Sequence, residues 1–234
     1  MPDIPYRSAL IVGAGPGIGA SAACARSPPP ASRSRSPRAI RRGWPRSREE
    51  TGAVALAADA TDRAAVERLF DQVEAAIGVP EIVVYNASGR LRGALADLDP
   101  EDVRRAVDVS AWGGFLVVQQ AAKRLLPLGR GAILLTGATA SVKGFARSAP
   151  FAIGKFALRG LAQSAARELG PQGNPCRAFR DRRGGAQRHA PRAGGPPDSM
   201  LDPDAIAQSY VDVLRQPRSA WSAEITLRPW TEPF

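Results

Sequence analysis

Apolar residues along this chain gather in short blocks, and the blocks repeat at two different periods. Ala9–Val12, Ala53–Ala57, Glu81–Tyr85, Ala132–Thr136 and Ala223–Leu227 are compact runs dominated by aliphatic side chains. Such runs suit strands covered on both faces, as in a parallel sheet. The stretches between them carry the helical period. Arg63–Ile77 places Val66, Leu69, Phe70 and Val73 at core spacing behind Asp62, a natural N-cap. Residues 100–126 read as two successive helices, the second carrying Phe115, Leu116, Val118 and Leu125. Phe151–Leu169 is a further helix. Asp202 and Pro203 open the last one, with Ile206, Tyr210, Val213 and Leu214 on its apolar face. Alternating strands and helices predict an α/β fold, a Rossmann-type doubly wound parallel sheet in a single domain.

Two windows break the pattern. Where a second strand belongs, the chain reads Ser27-Pro28-Pro29-Pro30 and then Ser32-Arg33-Ser34-Arg35-Ser36-Pro37-Arg38. Where a sixth belongs, Asn174–Asp198 is rich in Arg, Pro and Gly. Proline lacks a donor and arginine resists burial, so residues 24–48 and 174–198 are expected to be irregular, with strands two and six missing or disordered. These windows also hold the charge. Cys24–Arg48 has eight Arg and no acid, and Asn174–Asp198 has six Arg and two Asp, against a net +10 for the whole chain. The remainder is slightly acidic.

One reading of the windows is a pair of genuine basic inserts that bind nucleic acid. The other is translation out of frame. Taking the last base of each codon with the first two of the next, residues 30–49 permit a strand, a basic residue and an amphipathic helix. Residues 174–182, read one base later, permit a sixth strand. Out-of-frame reading is favoured, because the charge sits where the fold needs apolar strands and lacks interleaved aromatics. No nucleic-acid partner is expected.

Length and composition set further bounds. A chain of 234 residues with 44% hydrophobic content has material for one substantial core. No apolar run is long enough to span a membrane, and Met1-Pro2-Asp3 does not open like a signal peptide. Cys24 and Cys176 are far apart and without ligand spacing, so neither a disulfide framework nor a metal site is expected, and a cytoplasmic location fits. His189 is the sole histidine.

The chemistry starts directly after the first apolar run, at Gly13-x-x-x-Gly17-Ile18-Gly19. A strand, a glycine turn and a helix start bring free N–H groups to a pyrophosphate. This spacing, with Asn86-Ala87-Ser88-Gly89 after the fourth strand, resembles the short-chain dehydrogenase/reductase family, of which the chain reads as a divergent member. The resemblance implies an oxidoreductase using NAD or NADP on a small-molecule carbonyl or alcohol, and a possible homo-oligomer formed through the helices at 100–126. It implies cofactor contacts from Gly13, Gly17, Ile18, Gly19, Asp59, Asn86, Ala87, Gly89 and Lys155.

The family's proton donor is a tyrosine four residues before a lysine, helped by a serine upstream and an asparagine on an earlier helix. The matching positions here are Phe151, Lys155, Ala138 and Ser110. Lys155 and Ser110 are the catalytic candidates; Phe151 has no proton to give and Ala138 no hydroxyl, though Thr139 and Ser141 stand close in sequence. Activity is therefore in question, and a silent nucleotide-binding protein or a defective frame-shifted product is the alternative. The shifted-frame basic residue after strand two favours NADP. The chain as written lacks it, so either cofactor is expected to bind weakly.

Overall fold

A computed structural model describes residues 5–14, 34–37, 53–181 and 199–231; of 34–37, 180 and 181 only the backbone course is described. Seven parallel strands form one sheet: β1 (Ala9–Val12), β2 (Ser34–Pro37), β3 (Val54–Leu56), β4 (Ile82–Tyr85), β5 (Ala132–Thr136), β6 (Cys176–Asp181) and β7 (Glu224–Leu227). Their order is β3-β2-β1-β4-β5-β6-β7. The described helices are α1 (Arg63–Ile77), α2 (Pro100–Val107), α3 (Gly113–Leu125), α4 (Ala149–Leu169) and α5 (Pro203–Leu214).

Strand periodicity explains the layering. Leu10 and Val12 face one way with Val83, Tyr85, Ile133 and Leu135, onto a core built with α1, α3 and α4. Ala9 and Ile11 face the other way with Ile82, Val84 and Leu134, against Ile206, Tyr210, Val213 and Leu214 of α5. Both faces of β1, β4 and β5 are buried, which is why their sequences are continuously apolar. Asp62 caps α1 as expected, its Oδ1 accepting from Ala64 and Ala65 N–H at 2.7 and 3.0 Å.

One expectation is corrected. Positions two and six of the sheet are filled, not missing. Ser34 and Arg35 lie opposite Ala9 and Leu10, and Arg35–Pro37 lie opposite Val54–Leu56. Cys176–Phe179 pair with Ile133–Thr136, and Ala178–Asp181 with Glu224–Leu227. The physical reason is that ladder bonds are made by main-chain groups, and the facing edges of β1, β3, β5 and β7 attract any extended backbone. Beyond residues 34–37 and 174–181, both windows lie outside the described residues. In the helices at 100–126, Leu116, Val118 and Leu125 are inside the core. Of that helix pair, Trp112 and Phe115 are the large apolar side chains left exposed, stacked at 5.6 Å.

Residues 100–125 run without a break. A single wide turn at Asp108–Trp112, with π-type hydrogen bonds, joins α2 to α3. Such turns concentrate at functional sites.

Candidate active site

The strand order reverses between β1 and β4, so the crevice of this fold opens beyond their C-terminal ends. Gly13 has φ +81°, and a Cβ there would stand 2.3 Å from the main-chain nitrogen of Ala87. Only glycine permits both the turn and the contact. Asn86 completes the join: its N–H donates to Val12 O at 2.8 Å and its Nδ2 to Gly13 O at 3.1 Å. Gly13, Asn86 and Ala87, separate in sequence, therefore form one backbone unit. Gly17, Ile18 and Gly19 lie outside the described residues.

From that unit the contacts lead to the wide turn. Gly89 N–H donates to Ser110 Oγ at 3.0 Å, and Ser110 is fully buried. On the other side, a Cβ at Gly154 would fall 2.5 Å from Ser110 Cβ. The absent side chain lets α4 press against the turn, and so sets the depth of everything α4 carries.

One residue further, Lys155 is 3% exposed and donates from Nζ to the main-chain oxygen of Thr136 at 2.6 Å. It does not snorkel to solvent. Phe151 stands one turn earlier on the same face, its ring centroid 5.8 Å from Lys155 Nζ. A second cation meets that ring: Arg90 Cζ is 5.3 Å from the centroid. Sequence reasoning missed Arg90, since nothing in the spacing tells which ring a loop arginine will reach.

Ala138 follows β5 in extended conformation, and its N–H donates to Ser141 Oγ at 3.1 Å. Ser141 is fully buried, so its hydroxyl serves the turn and does not reach the crevice. Thr139 stays half-buried. Asp59, past the end of β3, is exposed and accepts from Thr61 N–H and Oγ1 at 2.8 and 2.7 Å. It lies on the β3 side of the sheet, away from Lys155.

None of the three tyrosines stands in for a phenol at Phe151. Tyr85 is completely buried, donates to the Val109 carbonyl, and burial pushes its pKa well above the usual value. Tyr210 shares a hydrogen bond with Thr136 Oγ1 at 2.8 Å inside the core. Tyr6 donates to Gly131 O at 3.2 Å.

A family model described as enoyl-(acyl carrier protein) reductase matches residues 35–178, more than half of the chain. The chain belongs to this family, within the short-chain dehydrogenases/reductases. It is 30% identical over 128 residues to L-2,3-butanediol dehydrogenase of Corynebacterium glutamicum, covering 54% of this chain and 50% of that one. Over 124 residues it is 36% identical to (3R)-3-hydroxyacyl-CoA dehydrogenase of Canis lupus familiaris, covering 52% and 48%. The chain thus spans about half the length of the curated relatives it matches. Among solved structures, a short-chain dehydrogenase from Rhodopseudomonas palustris superimposes with TM-score 0.79 at 27% identity, covering 97% of this chain and all of that one. A metagenomic short-chain oxidoreductase in complex with NADP shares the fold at TM-score 0.80 and 24% identity, covering 95% and 97%.

Proposed function

We propose that this chain is a slow NAD(P)-dependent oxidoreductase acting on a small carbonyl or alcohol substrate, with NADP the favoured cofactor. The observation that carries the reading is Lys155. Its buried ammonium sits beside the crevice, one helical turn from Phe151 and adjacent in sequence to the Gly154–Ser110 contact. Ala87, Ser88 and Gly89 are small enough to admit a nicotinamide ribose, and the lysine is a multi-donor cation already anchored to Thr136 O. A bound nicotinamide would supply or accept the hydride. Lys155 would hold the ribose and keep positive charge near the developing alkoxide. Ser110 fixes the wide turn against α4 through its bond from Gly89 N–H. Phe151 and Ala138 occupy the positions of the family's tyrosine and serine, so water must deliver the proton. Absence of one positioned acid costs about 10²–10⁴ in rate. Asp59 would lie by the adenine end, and Gly17, Ile18 and Gly19 by the pyrophosphate.

The activities named for the relatives guide the substrate panel: butane-2,3-dione and a 3-oxoacyl-CoA. With NADPH deuterated at C4, the reading expects deuterium in the alcohol carbon of a product, formed slowly. Cofactor binding with no label transfer after prolonged incubation would instead favour a catalytically silent binding protein. A cytoplasmic location and a second copy of the chain over Trp112 and Phe115 belong to the same reading.

A second reading is carried by Arg177. It is 1% exposed on β6, between β5 and β7, its Nη1 has no hydrogen-bond partner, and burial lowers its pKa. A buried cation left partly unpaired is costly. The shifted frame permits alanine at this position and valine at Cys176. This supports the view that residues 24–48 and 174–198 are read out of frame in a gene whose intact product binds cofactor more tightly. The gene's nucleotide sequence tests it: stop-free shifted frames bounded by single-base changes are expected, and shifted frames interrupted by stops would exclude it.

A further inference from the structure

The segments that follow β4 and β5 on the way to Phe151, residues 86–96 and 137–148, carry charge of one sign only. The loop between β4 and α2 supplies Arg90 and Arg92, and the loop between β5 and α4 supplies Lys143 and Arg147. Neither residues 86–96 nor residues 137–148 contain an acid. β4 and β5 are parallel neighbours, so both loops leave the same edge of the sheet. They also touch, with Gly93 N–H donating to Arg147 O at 3.2 Å.

Several arginines elsewhere in the described structure find acids. Arg104 pairs with Glu101 and Asp108, Arg124 with Asp71 and Glu74, and Arg159 with Glu224. Among the described residues, Arg90, Arg92 and Arg147 have no ion pair and no side-chain hydrogen bond. Lys143 meets only the Phe145 ring, at 5.4 Å. Arg90 meets only the ring of Phe151. A guanidinium laid on an aromatic ring keeps its N–H groups free for hydrogen bonding. Those donors match a carboxylate or phosphate in two-point fashion. Lys155 is not available for this, being buried and bonded to Thr136 O.

We propose that this rim selects an anionic carbonyl substrate, with Arg90 the residue that grips its carboxylate or phosphate next to Phe151. The carbonyl part of the inference rests on the oxidoreductase reading above; the anion site does not. Arg90 is thus a specificity-determining residue, and Arg92, Lys143 and Arg147 draw the anion to the mouth of the crevice.

The test is calorimetric titration of the full chain with butyrate, with its neutral amide butyramide, and with inorganic phosphate, each with and without saturating NADPH. Butyrate or phosphate should bind at least about tenfold more tightly than butyramide, and the better of the two names the class. Arg90→Gln should weaken that binding by about tenfold or more, with Arg90→Lys intermediate because it keeps the charge and loses the fork. An exposed helix variant, Arg63→Gln, should change nothing. Raising salt should weaken binding in the wild type and have less effect on Arg90→Gln. Equal affinity for butyrate, phosphate and butyramide would overturn the proposal, and so would anion binding unchanged by Arg90→Gln. If NADPH does not bind, the oxidoreductase reading fails while the protein-alone titrations still decide the anion site.

Discussion

Lys155 spends one Nζ donor on the main-chain oxygen of Thr136, and the aromatic ring one helical turn before it is Phe151. The helix therefore presents an ammonium group next to a ring that has no ionisable proton. Proton donation from this ring is not available.

Phe151→Tyr should raise the rate. The new phenol would sit on the lysine side of the ring, and a positioned acid typically contributes about 10²–10⁴. An increase of about 10² or more in steady-state ketone reduction is expected, with cofactor affinity unchanged. A rate within about twofold of wild type would mean the ring does not face the reacting oxygen.

Gly13→Ala should damage fold and site together. A non-glycine residue at φ +81° costs about 1–3 kcal/mol, and its Cβ would also collide with the Ala87 backbone. For a domain of this size each kcal/mol lowers Tm by about 2–4 °C. A melt showing no loss would mean the β1–β4 join is looser than described.

Arg177→Met should stabilise the protein. It removes a buried cation with an unpaired Nη1 and leaves a side chain that fills comparable space, although the bond from Nε to Ser222 O at 3.1 Å is lost. Replacing buried charge with apolar volume is often worth about 1–4 kcal/mol. A lower melting temperature in the variant would argue that β6 has adapted to its arginine, against the out-of-frame reading.

Alkaline pH should destabilise the fold through Cys176 first. Burial pushes its thiol from 9.0 up to about 12. The unfolded chain releases this proton near pH 9 while the folded one holds it, so stability is full below pH 9 and falls as pH rises toward 12. Tyr6 and Tyr85, whose ordinary value is 10.0 and which burial also raises, add to the slope at higher pH. Melting temperature measured across pH 8–10 should begin to fall near pH 9 in the wild type, and Cys176→Ala should remove that early part of the fall.

Much of this was legible in the sequence, and what was missed has definite causes. Val66, Leu69, Phe70 and Val73 are all buried, and α1 begins and ends at the expected residues, because amphipathic period and an Asp cap determine a helix locally. Ala9–Val12 and Ala132–Thr136 are strands over the expected spans because burial on both faces makes them continuously apolar. β2 and β6 were not legible: Ser34–Pro37 and Cys176–Asp181 carry no strand pattern, and neighbouring edges supply the ladder. In the site, Gly13 and Asn86 were singled out from their spacing, and their mutual contact is observed. Ser141 looked like a candidate hydroxyl, but its Oγ is used by the Ala138 N–H. Arg90 went unnoticed because its partner Phe151 comes from another loop's helix, a long-range pairing that local spacing does not encode.

The most direct test of the account is a fluorescence titration with NADPH, run on the wild type and on Lys155→Met. Saturable binding weaker than about 1 μM, roughly −8 kcal/mol, is predicted, together with a loss of about tenfold in the variant. Identical titrations for the two proteins would contradict the assignment of Lys155 and its crevice as the cofactor site, and so would the absence of saturation up to millimolar NADPH.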